Sequence, residues 1–257
     1  MTLPVLSPNA WLRWDVVARL LPRDARTVLE IGCGQGSMST RIAATTDYLG
    51  VEPDPTAFAV AQGKIKALGQ GEVRLGMMED VVEADRTFDL VCAFEVIEHI
   101  EDDVAALTGW VERVRPGGWV LVSTPAFAER YGPSDAMVGH FRRYDPEALA
   151  DVMRSAGLVH PQVVVYGAGL GHVLESLRHI LGARRLRQAG QPVPRRGAPS
   201  TLDAATMAEL TAGSGRLFQP PEAAARAVQV GTAPFRLLQR RFPHSGTGLV
   251  ALAERPV

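Results

Sequence analysis

Three side chains capable of acid–base or metal chemistry stand close together in the stretch "FEVIEHI", residues 94–100. Glu95, Glu98 and His99 are spaced i, i+3 and i+4, so a helix that begins at the end of the preceding strand would project all three from one face. Carboxylate and imidazole groups together suit a divalent metal. The spacing therefore predicts a metal site, and the simpler alternative is that His99 packs or hydrogen-bonds at the floor of a site.

Another histidine, His140, lies in "VGHFRRYDPEALADVMRSAGL" just before a predicted helix with Asp145 as its cap and Pro146 at its first position. A metal at this place would lower the pKa of a bound hydroxyl group. Without a metal, His140 or His99 could act as a general base, because imidazole titrates near neutrality. The alternative for this stretch is a loop held by salt bridges.

A glycine-rich turn, "VLEIGCGQGSMS" at residues 28–39, follows an apolar run and precedes a helical pattern. Its glycines permit positive φ, and the turn presents backbone N–H groups at a helix N-terminus, which favours a polar or anionic ligand. The spacing does not match the dinucleotide fingerprint, and the Gly-Lys-Ser/Thr ending of a P-loop is absent. Glu52 ends the next predicted strand about twenty residues later, where a carboxylate can bind two ribose hydroxyls.

Alternating strands and helices must position these groups, and this alternation predicts a parallel sheet covered on both faces. The first helix is expected to begin at an Asn9 cap. Predicted strands are 27–31, 47–51, 72–76, 88–93, 118–123, 161–166 and 246–254, and predicted helices are 9–21, 36–45, 55–68, 96–114 and 145–156.

The composition, 46% hydrophobic and 21% charged over 257 residues, is that of a globular protein. The N-terminal residues lack the features of a signal peptide, and the two cysteines, Cys33 and Cys92, suit reduced thiols. We therefore expect a cytoplasmic protein. Residues 1–166 carry 15 Lys or Arg against 23 Asp or Glu, whereas residues 167–246 carry 11 against 4, so the two regions are expected to differ in role.

Four motifs in order resemble the class I S-adenosylmethionine-dependent methyltransferases: the glycine loop, Glu52, "FDLVCAFEVIEHIEDD" and "VRPGGWVLVSTP". The resemblance covers residues 25–166 and the last strand. It implies a doubly wound α/β fold with a mainly parallel, seven-stranded, Rossmann-like sheet. The roughly eighty residues between strands 161–166 and 246–254 exceed ordinary loop lengths and are expected to form a helical insertion before the last strand. The expected divisions are a lid helix at 1–24, the cofactor-binding core at 25–166, a basic insertion at 167–246 and the final strand at 247–257.

The same resemblance implies roles for the loop residues in binding S-adenosylmethionine. Glu30 and the backbone of Gly32, Cys33 and Gly34 would hold the amino-acid end of the cofactor. Cys33 is expected to fill the loop and not to act as a nucleophile, because methyl transfer from a sulfonium needs no covalent enzyme intermediate.

Further contacts are implied for the ribose and adenine. Family members commonly place an Asp after the third strand, where this chain has Met77. The implied contacts are Glu52 for the ribose, Pro53 and Asp54 flanking the adenine, the Met78 backbone or Glu79 for its amino group, and Phe94 at the end of the fourth strand.

"EVIEHI" followed by Gly139-His140 and an aromatic residue resembles two subgroups, the O-methyltransferases of ubiquinone biosynthesis and the small-RNA 3′-terminal 2′-O-methyltransferases. The resemblance implies a metal set of Glu95, Glu98, His99 and His140, with Mg²⁺, Mn²⁺ and Zn²⁺ all compatible with mixed oxygen and nitrogen ligands. We therefore predict O-methylation of a small or lipid-like hydroxylated acceptor. The alternatives are a metal-dependent RNA 2′-O-methyltransferase, a C- or N-methyltransferase of a small molecule, and a cofactor-binding protein without catalysis.

A nucleic-acid substrate is disfavoured by the acidic first region and by the absence of an RNA-binding motif. The insertion opens with "GLGHVLESLRHILGARRLRQ", whose apolar residues follow helical spacing, and continues through the linker "GQPVPRRGAPS" into weaker helical patterns. The helix predicted at the start of the insertion could cap the core, line a substrate pocket or lie on an anionic membrane surface as a peripheral contact.

Overall fold

The computed structural model describes residues 3–188, 190–197 and 222–257. Seven strands form one sheet in the order β3-β2-β1-β4-β5-β7-β6, in which β7 runs antiparallel to both of its neighbours and the other pairs are parallel. The predicted fold class is confirmed. The strands are β1 Thr27–Ile31, β2 Asp47–Glu52, β3 Glu72–Leu75, β4 Phe88–Phe94, β5 Val114–Pro125, β6 Val159–Tyr166 and β7 Gly248–Glu254.

Helices cover both faces of the sheet, and each face has its own apolar core. Leu29, Phe88 and Trp110 belong to one core, and Leu12 and Tyr48 belong to the other. The helices are α1 Pro8–Leu20, α2 Ser39–Ala43, α3 Pro55–Leu68, α4 Met78–Val81, α5 Asp103–Glu112, α6 Pro133–Met137, α7 Pro146–Ser155, α8 Leu170–Gln188 and α9 Ala225–Gln239.

Helix α1 begins one residue earlier than predicted. Ser7 is its N-cap, accepting a hydrogen bond from the backbone N–H of Ala10 at 3.3 Å, so the predicted Asn9 cap is wrong. Pro8 occupies the first helical position, where its missing N–H costs nothing. At α7, Asp145 does occupy the N-cap position with Pro146 next, but its side chain makes no capping hydrogen bond.

The single helix predicted over residues 96–114 is wrong. Glu95 has φ +60°, and only a 3₁₀ turn over Ile97–His99 follows the end of β4. A new N-cap then starts α5, because the Asp102 side chain accepts a hydrogen bond from Ala105 N–H at 3.0 Å. The break matters for the site, because Glu95 no longer shares a helical face with Glu98 and His99.

Helix α8 forms as predicted at the start of the insertion, but it buries an unexpected side. Gly171, Glu175, Gly182 and Leu186 are its buried residues. Its apolar stripe is exposed instead, with relative exposures of 58% at Val173, 53% at Leu177 and Ile180, and 45% at Leu181. Glycines allow close approach, and Glu175 meets two arginines, so this polar side packs inward.

The weaker helical patterns after the linker fall partly on residues 198–221, which lie outside the described residues. Among the helices that the structure describes, none combines the length and the apolar character needed to cross a bilayer.

Candidate active site

A cavity of about 460 Å³ lies at the edge of the sheet where β1, β2 and β4 end. In open α/β sheets this edge is where ligands bind. The wall includes most of the predicted cofactor residues, namely Glu30, Gly32, Cys33, Gly34, Glu52, Pro53, Asp54 and Phe94, and it continues to His99 and His140.

Glu30 is the most buried carboxylate on the cofactor side of this cavity, at 2% relative exposure. It accepts a hydrogen bond of 2.7 Å from the Tyr48 hydroxyl. Burial raises the pKa of Glu30 to about 7. A cationic ammonium group, such as the one at the amino-acid end of S-adenosylmethionine, would favour the ionised form of this carboxyl.

Glu52 lies at the end of β2 and braces the glycine loop. Its carboxylate accepts hydrogen bonds from the backbone N–H groups of Gly34 at 2.7 Å and Asp54 at 2.9 Å. Burial raises the pKa of Glu52 above its ordinary value. Two backbone N–H donors thus hold the Glu52 carboxylate at the cavity wall.

Two glycines of the loop show why the sequence requires them. Gly34 has φ +56°, and a Cβ atom there would meet nothing within 4 Å, which leaves the cavity side of the turn open. Gly36 has φ +72°, and a Cβ atom there would lie 3.0 Å from Ala61 Cα in α3. The loop therefore combines an open cradle with close helix packing. Burial raises the pKa of the Cys33 thiol well above its ordinary value, in keeping with a filler and not a nucleophile.

The predicted adenine contacts fall in two groups. Pro53 and Asp54 line the cavity, and Asp54 also caps α3 by accepting hydrogen bonds from two backbone N–H groups. Met78 is buried, Glu79 is exposed, and neither lines the cavity. Their contact with the cofactor stays a prediction.

Glu98 is the most unusual polar group in the site, because it has 0% relative exposure. Neither carboxylate oxygen has a hydrogen-bond partner in the described part of the chain. Burial, followed by the charge of Glu95, raises the pKa of Glu98 well above its ordinary value. A buried carboxylate without donors is costly, and a proton or a metal ion would relieve that cost.

Two imidazoles face this carboxylate. His140 Nε2 lies 3.8 Å from Glu98 Oε1, and the His99 and His140 rings are 4.5 Å apart at 83°. Burial, and then the neighbouring His140, lower the pKa of His99 to about 3, so this ring is neutral. Ligand atoms of Glu98, His99 and His140 all lie within 4.8 Å of one another, a set that could hold a metal ion.

The Glu95 side chain does not join Glu98, His99 and His140, and it contacts other residues instead. Its carboxylate pairs with Arg13 of α1 at 2.8 Å and accepts a hydrogen bond from the Ser123 hydroxyl at 3.0 Å. The helical alignment that placed Glu95 with Glu98 and His99 is wrong, since that helix does not form. The donor set that the described residues bring together is one carboxylate and two imidazoles.

Asp135, Arg13, Arg143, Glu175 and Arg178 also line the cavity, and sequence reasoning assigned none of them to the site. The side chains of Asp135 and Glu175 are almost wholly buried. Burial would raise the pKa of Asp135, but the hydrogen bond from His140 and the charge of Arg143 outweigh it and hold that pKa well below its usual range. No local motif marks these residues, and several of their contacts, such as Arg143 with Glu175 and Arg13 with Glu95, join positions far apart in sequence.

Comparison with known proteins agrees with this geometry. A family model of the methyltransferase domain matches residues 9–163. A ubiquinone biosynthesis O-methyltransferase from Azorhizobium caulinodans is 37% identical over 120 residues, covering 43% of this chain and 47% of that protein. A probable S-adenosylmethionine-dependent methyltransferase from Mycobacterium tuberculosis is 29% identical, covering 99% of this chain and 88% of that protein.

The fold is shared with solved methyltransferases. Phosphoethanolamine N-methyltransferase 2 from Haemonchus contortus, in complex with phosphomonomethylethanolamine and S-adenosylhomocysteine, matches with a TM-score of 0.58 at 17% identity, covering 97% of this chain and 53% of that chain. The match to the ubiquinone-type relatives spans less than half of their length.

The sheet order, the glycine loop and the two cavity carboxylates, Glu30 and Glu52, define a class I S-adenosylmethionine-dependent methyltransferase. The chain belongs to the methyltransferase-domain family. The residues present fit the cofactor of that family, since the open glycine turn and the two buried carboxylates offer what its amino-acid end and ribose require.

Proposed function

We propose that this protein transfers the methyl group of S-adenosylmethionine to a hydroxyl oxygen of a small or lipid-like acceptor, with Glu98, His99 and His140 holding a divalent metal ion beside the methyl group. The observation that carries this proposal is the fully buried Glu98 carboxylate, which has no hydrogen-bond partner in the described part of the chain and faces His99 and His140, two imidazoles that line the cofactor cavity. The similarity to a ubiquinone biosynthesis O-methyltransferase from Azorhizobium caulinodans supports an oxygen as the methylated atom.

The donor set argues for a particular kind of metal. One carboxylate and two imidazoles suit Zn²⁺ or Mn²⁺ better than Mg²⁺, which prefers oxygen ligands. His140 donates its Nδ1 proton to Asp135 at 2.9 Å, so the lone pair is on Nε2, the atom nearest Glu98. Gly139 carbonyl oxygen lies 3.2 Å from His99 Nδ1 and favours the proton on that nitrogen.

Methyl transfer to a hydroxyl oxygen requires an activated acceptor and a correctly positioned methyl donor. When bound, the cation would supply a Lewis acid that lowers the pKa of an acceptor hydroxyl. The acceptor hydroxyl gives its proton to water, its oxygen attacks the methyl carbon, and the carbon–sulfur bond breaks with its electron pair on sulfur, so that S-adenosylhomocysteine leaves. The glycine loop, Glu30 and Glu52 hold the methyl donor in line for this displacement, where position contributes most of the rate.

Metal removal tests the proposal. The protein is dialysed against a chelator and assayed by S-adenosylhomocysteine release with catechol, phenol, aliphatic alcohol and amine acceptors and a short single-stranded RNA. We expect transfer to a small hydroxylated acceptor only after Mn²⁺ or Zn²⁺ is restored. Cofactor affinity, measured by titration calorimetry, should not change on chelation.

A matched pair of histidine variants completes the test. His140→Ala should lose metal binding, followed as Co²⁺ absorption, and most of the activity, whereas the exposed His244→Ala should behave as wild type. Full activity of the metal-free protein would contradict the metal site and leave His140 as a general base. Methylation of the amines or the RNA alone would contradict the proposed acceptor class.

A further inference from the structure

The insertion helix α8 places a buried carboxylate in the wall of the active site. Glu175 is 5% exposed, and each of its oxygens accepts a hydrogen bond from an arginine, Oε1 from Arg143 and Oε2 from Arg130. These arginines belong to the segment between β5 and α7, more than thirty residues away in sequence. Charge therefore helps to join the insertion to the core, alongside Leu186, which belongs to a buried apolar cluster with Ala136 and Met137.

Arg143 connects Glu175 to a second buried carboxylate, Asp135. Its guanidinium lies between two carboxylates, donating from Nη1 to Glu175 and, in a bidentate arrangement, from Nε and Nη2 to Asp135 at 2.9 and 2.8 Å. The Arg143 side chain is only 4% exposed. A planar guanidinium held on two sides by carboxylates has little rotational freedom.

Asp135 completes the chain at His140. Its Oδ1 accepts the hydrogen bond from His140 Nδ1 at 2.9 Å, and its Oδ2 accepts one from the backbone N–H of Gly132 at 2.9 Å. An acceptor at Nδ1 selects the tautomer that leaves the Nε2 lone pair toward Glu98. Glu175, Arg143, Asp135 and His140 thus form an unbroken line of hydrogen bonds.

Close backbone contact keeps α8 in place over this line. A Cβ atom on Gly182 would lie 2.8 Å from the carbonyl oxygen of Pro133 in α6, the helix that contains Asp135. His179, one turn before Gly182, meets Ser134, with its Nδ1 2.9 Å from the hydroxyl oxygen. Helix α8 therefore lies directly against the segment that presents Asp135.

We propose that Glu175 is a positioning residue: by holding Arg143 and through it Asp135, the docked insertion helix fixes the orientation and tautomer of His140. The catalytic consequence rests on the proposed function, since it requires His140 to act in methyl transfer. The effect on the imidazole itself does not, and the two can be measured separately.

The imidazole is observed directly in the metal-free, full-length protein by ¹⁵N NMR of histidine side chains. In the wild type we expect His140 in a single tautomer with the proton on Nδ1. Glu175→Gln removes the charge but keeps the shape, and should convert this signal to a mixture of tautomers. Glu129→Gln is the matched control, because Glu129 is an exposed glutamate of the same β5–α7 segment, and it should leave the signal unchanged.

Kinetics then connect the imidazole to function. Glu175→Gln should lower kcat by about tenfold, the size of effect seen when the groups that orient a ligating histidine are changed, while the cofactor Kd stays within the error of wild type. Should Glu175→Gln fail to fold, Arg143→Lys serves instead, because lysine keeps the charge but cannot bridge both carboxylates.

An unchanged His140 tautomer in folded Glu175→Gln or Arg143→Lys protein would overturn the proposal and leave Glu175 as a structural anchor. A tautomer mixture accompanied by wild-type kcat would support the positioning line and instead contradict the role given to His140 in the proposed function.

Discussion

At the residue scale, the buried carboxyl of Glu30 couples cofactor binding to pH. Burial raises its pKa from 4.5 to about 7, so the cofactor-free protein holds a largely neutral carboxyl below that pH. The amino-acid end of S-adenosylmethionine has an ammonium group, which binds the ionised carboxylate more strongly than the neutral acid. Binding must therefore draw a proton off Glu30 when the pH is low.

We predict that the affinity for S-adenosylhomocysteine, which has the same ammonium group, rises between pH 6 and pH 8 and that Glu30→Gln removes most of this rise. Titration calorimetry at several pH values measures it, and Glu112→Gln, an exposed change on α5, is the control. An equal pH dependence in wild type and Glu30→Gln would contradict the assignment.

The Glu30 carboxyl also makes the folding stability of the cofactor-free protein fall as the pH rises. A carboxyl whose pKa is raised on folding contributes stability that is present below its unfolded pKa near 4.5 and is lost as the pH rises through about 7. The corresponding loss is at most roughly 3 kcal/mol, from the free energy of a pKa shift of this size. Cofactor-free wild-type protein should therefore lose more stability than Glu30→Gln between pH 5 and pH 8.

At the element scale, the docking of α8 depends on a glycine and not on apolar spacing. A Cβ on Gly182 would come within 2.8 to 2.9 Å of backbone atoms of Pro133 and Ser134. Backbone cannot yield as a flexible side chain can, so the helix would have to move outward. Such overpacking typically costs about 1–3 kcal/mol.

Gly182→Ala should accordingly lower the free energy of unfolding, measured by urea denaturation, and expose Glu175. Gly63 offers the matched control, because it lies in α3 with nothing within 4 Å of an added Cβ. Gly63→Ala should raise stability by about 0.5–1 kcal/mol, the helix propensity difference. A stabilising effect at both positions would show that α8 does not dock as described.

At the scale of the whole molecule, the sheet closes with its last strand. β7 lies between β5 and β6 and pairs antiparallel with each, so β6 contacts the rest of the sheet through β7. Leu249, Val250, Ala251 and Ala253 of this strand are fully buried. The sheet is therefore complete only when β7 has been inserted between β5 and β6.

We expect a chain that ends at residue 245 to lose the cooperative unfolding transition, because β6 would have no neighbour and both cores would open. Circular dichroism during thermal unfolding measures this. A chain that ends at residue 255 keeps β7 whole and should unfold cooperatively. A cooperative transition in the shorter chain would mean that β6 and β7 are an accessory to an independently stable sheet.

Features that depend on short-range constraints followed from the sequence. The alternation of strands and helices predicted the sheet, and the glycine loop and the strand-end Glu52 predicted the cofactor edge, because β periodicity and positive φ at glycine are local properties. The pairing of Glu98 and His99 was also visible, since adjacent residues cannot lie far apart. His140 came from the family resemblance, and its 3.8 Å separation from Glu98 appears only in the structure.

Tertiary contacts decided the rest. Helical periodicity predicted that Glu95 would share a face with Glu98. In the structure Glu95 has a left-handed backbone conformation, and its side chain forms an ion pair with Arg13 of α1. The apolar stripe of α8 left three roles open for the helix, and the structure buries another side, because Glu175 and Gly182 find charged and close-packed partners that periodicity does not predict. The line from Glu175 to His140 joins groups 32, 8 and 5 residues apart, and only folding brings such groups into one buried network, where their mutual pairing offsets the cost of leaving water.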